Sequence, residues 1–372
     1  MKILIDFTEF NGPNYSLEVY GLRLLSAISV DCSDQITLLV PKSGESRIRK
    51  LFPNFDYLIF NKLPNPQFTR PMSVILFPLR QHRYKSLVNK FDVLFIMTHS
   101  NPITSCKTKC RKVIVIHDLT YTHNPIKPLE FLRTRSWGKY FLHRQLLNSN
   151  IVICISQFTK DHIRSEFPDV SQDKIHVIYN SVKLPLSEKS PFNNSNYGKY
   201  ILFVNTLKPY KNVQTLIKAF NKLKREIDLN LVIVGKETSF WKDDICTYIN
   251  NNNLSNRIIR LENMSDEELK WLYSHASLFV TTSLHEGFGY TPIEAAICKC
   301  PVISSNCESL PEVTMGMVNY YSPATDEYAL ANCIKKTIEI PSDPKYLEFI
   351  SSTFINRYSV QKQWSDIYKL FN

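Results

Sequence analysis

The sequence predicts an α/β protein of two doubly wound, Rossmann-like domains. Three observations predict it. Short, nearly continuous runs of β-branched and other apolar residues recur along the whole chain, as in strands buried on both faces of a parallel sheet. Stretches with helical spacing of apolar residues stand between them. Finally, 372 residues exceed one ordinary hydrophobic core and suit two domains of about 150 to 200 residues each.

In chain order, the strand-like runs of the first half are "KILIDF", "QITLLV", "DVLFIM", "KVIVIHD" and "IVICIS". Past residue 198 come "YILFVNT", "LVIVGK", "RIIRLEN", "SLFVTTS" and "PVISSN". Helical patterns between them include "VQTLIKAFNKLKREI" and "SDEELKWLYSHA", the second opening with a Ser265 to Glu268 capping box. Residues 183 to 199, "KLPLSEKSPFNNSNYGK", read as a linker because proline, serine and asparagine dominate them. The expected division is therefore an N-terminal domain over 1–185, a C-terminal domain over 186–355 and a terminal helix over 356–372. In such folds ligands bind outside the carboxyl ends of the strands, where strand order reverses.

Hydrophobic content of 44% and 21% charged residues, without repeats or low-complexity tracts, describe a soluble globular chain. Its charge is uneven: residues 1 to 185 carry 25 Lys and Arg against 14 Asp and Glu, while the remainder carries 20 of each. The excess is densest between Arg70 and Lys112, where apolar and basic side chains mix. This is either a solvated basic face or a surface for an anionic acceptor or membrane. No zinc-finger, basic-zipper or RNP-type signature is present, which argues against nucleic acid. "MKILIDF" runs directly into a strand and no apolar run approaches the roughly 18 residues of a membrane span, so neither secretion nor a transmembrane anchor is expected. Nine cysteines without metal-site spacing read as buried free thiols in a reducing cytoplasm. The G-x-G-x-x-G fingerprint, the Walker loop and Asp-x-Asp are all missing, against a nicotinamide enzyme, a P-loop phosphotransferase and a metal-clamped diphosphate.

The sharpest local signal is "HEGFGYTPIEAA", residues 285 to 296, between a strand and a helix. Pro292 suits a first helical position, which makes Thr291 the N-cap and Glu294 the third residue of a Thr-x-x-Glu capping box. Glu294 is then a cap or a ligand contact. Glu286 has no capping role and is a loop charge or a ligand contact. Gly287 and Gly289 flank Phe288, letting backbone N–H groups approach a ligand, and the helix N-terminus behind them favours an anion. Lys211 follows the strand "YILFVN" and precedes a helix expected to be capped by Asn212. It is either a solvated surface lysine or a diphosphate contact. His117 and Asp118 end "KVIVIHD"; the histidine is structural or faces a ligand, and the aspartate orients that imidazole or caps the next turn.

Together these residues carry a resemblance. "LFVTTSLHEGFGYTPIEAAICKCPVISSNCESLPEV" resembles the signature of retaining nucleotide-sugar glycosyltransferases of the GT-B fold, family four, marked by two glutamates separated by seven residues. "VIVIHDLTY", "ISQFTKDHI", "ILFVNTLKPYKNVQTLIKAF", "LVIVGK" and "SDEELKWLYSHASLFV" match in order across nearly the whole chain. "TLKPYKN" is similar to the T-L-x-P-R-K-N variant of bacterial mannosyltransferases and related transferases of O-antigen and capsule assembly. The resemblance implies the GT-B arrangement of two Rossmann-like domains with an interdomain cleft, the C-terminal helix packing back on the N-terminal domain. It implies that Glu286 holds hydroxyls of a donor hexose, helped by the amides of Gly287, Phe288, Gly289 and Tyr290, and that Glu294 accepts from the ribose. Lys211, with Thr206 and Gly12, would serve the diphosphate. His117 would contact the donor sugar or its reacting centre, so His117, Asp118 and Glu286 are the catalytic candidates.

The implied function is a retaining, metal-independent transfer of a hexose, with GDP-mannose the first candidate donor and a UDP-sugar the second. The acceptor would be a lipid-linked or growing glycan of cell-surface polysaccharide synthesis. No cofactor and no metal is implied, and the basic N-terminal domain would lie against an anionic membrane at the inner face of the cytoplasmic membrane. Four departures stand against the pattern: Asn205 for a usual glycine, Tyr210 for a cation, Gly12 alone for a glycine-rich loop, and Lys299 for the glycine of a left-handed helix cap. They keep open a catalytically silent sugar-nucleotide-binding partner. A phosphorylase or epimerase would use the same fold.

Overall fold

All strand pairs among the described residues are parallel, and they form two separate sheets. The structure, a computed structural model, describes residues 1–9, 16–28, 34–60, 75–119, 128–191 and 198–372, excepting the side chains of 16, 17 and 128–136. Contacts divide the chain into one unit of Met1–Ser181 with Val360–Asn372 and a second of Val182–Ser359.

The first unit holds β1 (Lys2–Asp6), β2 (Gln35–Val40), β3 (Asp56–Ile59), β4 (Val93–Ile96), β5 (Arg111–Ile116), β6 (Ile151–Cys154) and β7 (Ile175–Val177), in the order β3-β2-β1-β4-β5-β6-β7. Ile3 lies in register with Ile36 on one side and Val93 on the other. The chain builds outward from β1 through β2 and β3, then restarts on the other side at β4, so strand order reverses between β1 and β4. The final segment belongs to this unit: Phe371 lies 5.6 Å from Phe95, ring to ring, and the Ser181 N–H donates to Gln363 Oε1 at 3.1 Å. That return begins at Val360, after a separate helix Pro344–Arg357 in the second unit.

Lys112, the second residue of β5, is fully buried. Its ammonium donates to the Thr104 and Cys106 carbonyls at 2.8 and 2.6 Å. Desolvation lowers its pKa to about 8, because the apolar interior penalises the charged form.

The second unit holds β8 (Tyr200–Val204), β9 (Asn230–Val234), β10 (Ile258–Leu261), β11 (Leu278–Thr281), β12 (Val302–Ser305) and β13 (Asn319–Tyr321), in the order β10-β9-β8-β11-β12-β13. Here strand order reverses between β8 and β11. Ile201, Phe203, Leu231, Ile233, Leu278 and Val280 are buried in one cluster with the apolar face of the helix Val213–Leu223. The helix Asp266–His275 starts with the expected capping box, Ser265 and Glu268 each bonding the other's backbone N–H. Gly235 follows β9 where any Cβ would collide with the Asn205 carbonyl, so glycine lets the segments after β8 and β9 approach. Three strands escape the sequence reading: β3, β7 and β13. Each is an edge strand of three or four residues with polar positions, and so lacks a continuous apolar run.

Candidate functional site

At the reversal point of the second unit, Lys211 and Glu286 come together across 75 residues of sequence. Lys211 Nζ lies 2.6 Å from Glu286 Oε1, with both side chains mostly buried. Ser283 Oγ donates to the same oxygen at 2.9 Å and Asn205 Nδ2 at 3.4 Å. Asn205 therefore places an amide donor on the carboxylate where a glycine would place none. Lys211 is 8% exposed, so it is not a solvated surface lysine. Its ammonium lies 5.0 Å from the centre of the Tyr210 ring, which gives that tyrosine a cation–π contact with the lysine.

Two loops hold this arrangement. Thr282 Oγ1 donates to the Lys211 and Asn212 carbonyls, both at 2.9 Å, and the Leu284 N–H donates to the Tyr210 carbonyl at 2.9 Å. The loops after β8 and β11 are thereby tied to each other. Asn212 takes a left-handed conformation at φ 54° ahead of the helix, but its side chain does not cap the helix amides as expected. It instead donates to the Ala324 carbonyl and accepts from Thr215 Oγ1, both at 2.8 Å. Thr206 is exposed, its N–H bonded to Asn205 Oδ1.

The helix after the turn is Tyr290–Ile297, with Gly289 at its N-cap and no side-chain cap bond. The Thr291 to Glu294 capping box is therefore not formed. Gly289 stands at φ 87°, which bends the chain into the helix two residues earlier than Pro292 predicts and leaves Glu294 as the fifth helical residue. Pro292 still sits in the first turn, where its missing N–H leaves no intrahelical bond broken. Glu294 Oε2 accepts from the Tyr273 hydroxyl at 3.1 Å, and burial, then the Glu294 charge, push that phenol's pKa well up. Phe288 is buried, its ring 5.1 Å from Tyr290 and 5.6 Å from Tyr358, so it anchors the turn. Lys299 takes the left-handed conformation, φ 61°, expected at the helix end.

In the first unit His117 follows β5 and is buried; its Nε2 lies 2.8 Å from the Met97 carbonyl after β4. A carbonyl only accepts, so Nε2 carries the proton and Nδ1 the lone pair. Burial lowers its pKa to about 4, with neighbouring His99 reinforcing the shift while the Met97 bond and the Asp118 charge oppose it. The imidazole is neutral at physiological pH and packs edge-on to Tyr20 at 4.7 Å. Asp118 is half-buried beside it. Gly12 lies outside the described residues.

Sequence reasoning missed His285, Glu308 and Ser309. Glu308 takes the Glu286 N–H on Oε2 at 2.6 Å and His285 Nδ1 on Oε1 at 2.7 Å, and Ser309 Oγ donates to the Glu286 carbonyl at 2.7 Å. The only sequence sign was position: "NCES" follows β12, the neighbour of β11, so both segments emerge at one carboxyl edge.

The family model described as "Glycosyl transferases group 1" matches residues 187–352, and that described as "Glycosyltransferase Family 4" matches 33–184. The O-antigen chain mannosyltransferase RfbU of Salmonella typhimurium is 30% identical over 231 residues, 62% of this chain and 62% of its own. O-antigen chain mannosyltransferase B of Escherichia coli is 28% identical over 213 residues, 55% of each. The chain thus spans a little over half the length of these curated relatives. Among solved structures, Anabaena HepE in complex with UDP aligns with a TM-score of 0.74 at 16% identity, covering 99% of this chain and 98% of that one. That likeness assigns the GT-B fold.

Proposed function

Because the chain belongs to the group 1 glycosyltransferases of family four, whose two models together run from residue 33 to 352, we propose that it transfers a hexose from a nucleotide sugar to a growing glycan. The observation that carries this is the buried Lys211–Glu286 pair at the reversal point of the second sheet. A buried ion pair repays its desolvation only with well-placed partners. A nucleoside diphosphohexose supplies both: its diphosphate takes the Lys211 ammonium, and its hexose hydroxyls donate to the Glu286 carboxylate as the lysine leaves it. Lys211 then neutralises charge on the departing diphosphate, the point where charge develops in the transition state. No cofactor or metal is assigned to this step.

In this reading the acceptor hydroxyl attacks C1 from the face the diphosphate leaves. The C1–O bond to the acceptor forms as the bond to the diphosphate breaks, and the diphosphate oxygen takes the hydroxyl proton, giving retention. In the second unit Glu294 serves the ribose; in the first, neutral His117 keeps Nδ1 as a hydrogen-bond acceptor. Mannose from GDP-mannose is the first donor, supported by likeness to two O-antigen mannosyltransferases. A UDP-sugar is the alternative, favoured by the UDP complex of the structural neighbour.

A lipid-linked acceptor is supported by the first unit. There a cavity of about 470 Å³ is lined by Phe77, Pro78, Trp137, Tyr140 and Phe141, with Gln81, Ser105 and Arg144 as its polar members. Apolar walls beside a guanidinium suit a hydrocarbon chain carrying an anionic group. No described helix is long and apolar enough to cross a membrane. A donor panel with a lipid-linked glycan acceptor tests the reading: turnover with GDP-mannose supports it, and turnover only with a UDP-sugar moves the donor to the alternative. Nucleotide binding without turnover of any donor would establish the silent partner instead.

A further inference from the structure

We infer that Glu308 is a positioning residue: it holds the turn that presents Glu286, so that the hexose, and not the nucleotide, depends on it. This rests on the reading of Glu286 as a donor-hexose contact. Glu308 spends both carboxylate oxygens on consecutive residues of that turn, the Glu286 N–H at 2.6 Å and His285 Nδ1 at 2.7 Å. Its neighbour Ser309 donates from Oγ to the Glu286 carbonyl at 2.7 Å and the Phe288 carbonyl at 3.2 Å. The backbone of Glu286 is therefore bracketed, N–H by one residue and C=O by the next. One strand-end further back, Ser305 Oγ donates to the Ser283 carbonyl at 2.7 Å. The end of β12 and the segment after it thus fasten the segment after β11 at both ends of the turn, with Glu286 between the fastenings.

The backbone of Glu308 separates this role from a structural one. Glu308 sits at φ 48°, a left-handed conformation that costs any residue with a Cβ and costs glycine little. A glutamate kept where glycine is preferred means that its side chain supplies something its backbone does not need. Both of its bonds go to the turn.

Glu308→Gly should therefore separate stability from hexose recognition. Relief of the left-handed strain offsets part of the lost bonding, so the melting temperature should move by no more than a few degrees. The KM for the donor should rise about tenfold as both carboxylate bonds to the turn are lost, while affinity for the free nucleoside diphosphate stays within about twofold. Glu308→Gln, which keeps an acceptor oxygen for the Glu286 N–H, should recover most of the loss. GDP-mannose with GDP, or UDP-glucose with UDP if that is the donor turned over, are the probes, and Glu286→Gln is measured beside them. If Glu286→Gln raises the donor KM and Glu308→Gly does not, the inference fails and the reading of Glu286 stands. If Glu286→Gln itself leaves the donor KM unchanged, the reading fails first. A Glu308→Gly protein that melts lower by more than a few degrees and loses donor and free nucleotide affinity together would make Glu308 merely structural and overturn the inference.

Discussion

The two sheets reverse strand order at corresponding places, β1 against β4 and β8 against β11, yet different chemistry stands at their carboxyl edges. In the second unit the edge is ionic and cross-tied: Lys211, Ser283 and Asn205 converge on one carboxylate oxygen of Glu286. In the first, His117 is held neutral by burial and bonded to a backbone carbonyl. Among the described residues, the basic excess of the N-terminal half includes surface residues such as Arg83, Lys85, Lys139 and Arg144. One fold used twice can therefore assign charge to a built site in one copy and to an outer face in the other. A preformed ionic site suits a charged ligand bound in one pose, and an outer basic face suits a partner met over an area.

The largest expected effect tests the ionic edge. Lys211→Met should reduce donor kcat/KM about a hundredfold, the scale of one charge-assisted bond to the leaving group, and should cost about 3 kcal/mol of stability by stranding Glu286. Lys211→Met with Glu286→Gln should recover most of the stability and none of the activity, read by thermal melts and single-turnover assays. Recovery of both would make the pair a structural element and dissolve the contrast between the units.

Next comes the neutral edge. His117 is depressed from the ordinary 6.5 to about 4, so above 6.5 both folded and unfolded forms are neutral and it contributes no slope. As pH falls from 6.5 towards 4 the unfolded chain takes a proton that the folded chain refuses, and stability drops by up to about 3 kcal/mol before levelling off. His117→Gln should flatten that slope in denaturant titrations at pH 4 to 7. An unchanged slope would place the acid sensitivity elsewhere.

A smaller effect separates acceptor from donor. Trp137→Ser with Tyr140→Ser should raise the KM for a lipid-linked acceptor about tenfold, the scale of a lost aromatic contact surface, with donor hydrolysis unchanged. Equal loss with a lipid-free acceptor would show that the cavity serves the fold. Smallest of all, Ser265→Ala removes a helix cap in the second unit and should cost about 1 kcal/mol in melts without altering donor KM. It is the control that shows stability of that unit and its ligand chemistry to be separable.

The central strands were legible because strands buried on both faces leave continuous apolar runs; β3, β7 and β13 were not, because edge positions tolerate Asp56, His176 and Asn319. At the site, Lys211 and Glu286 could be picked out one at a time as residues just past strands. Their bond could not, since it joins loops after non-consecutive strands that only the sheet order brings side by side. Glu308 was hidden for the same reason, through the adjacency of β11 and β12. The Thr291 to Glu294 box does not form because Gly289, whose positive φ sets the helix start, precedes the position that Pro292 marks.

Lys112 gives the molecule an internal clock. An amine with no exposed surface, tied to two carbonyls, is beyond the reach of acylating reagents while the first unit stays closed. Its modification, followed by mass spectrometry against that of the surface lysines, would time the opening of the first unit, so the moment its core loosens could be dated separately from any event in the second.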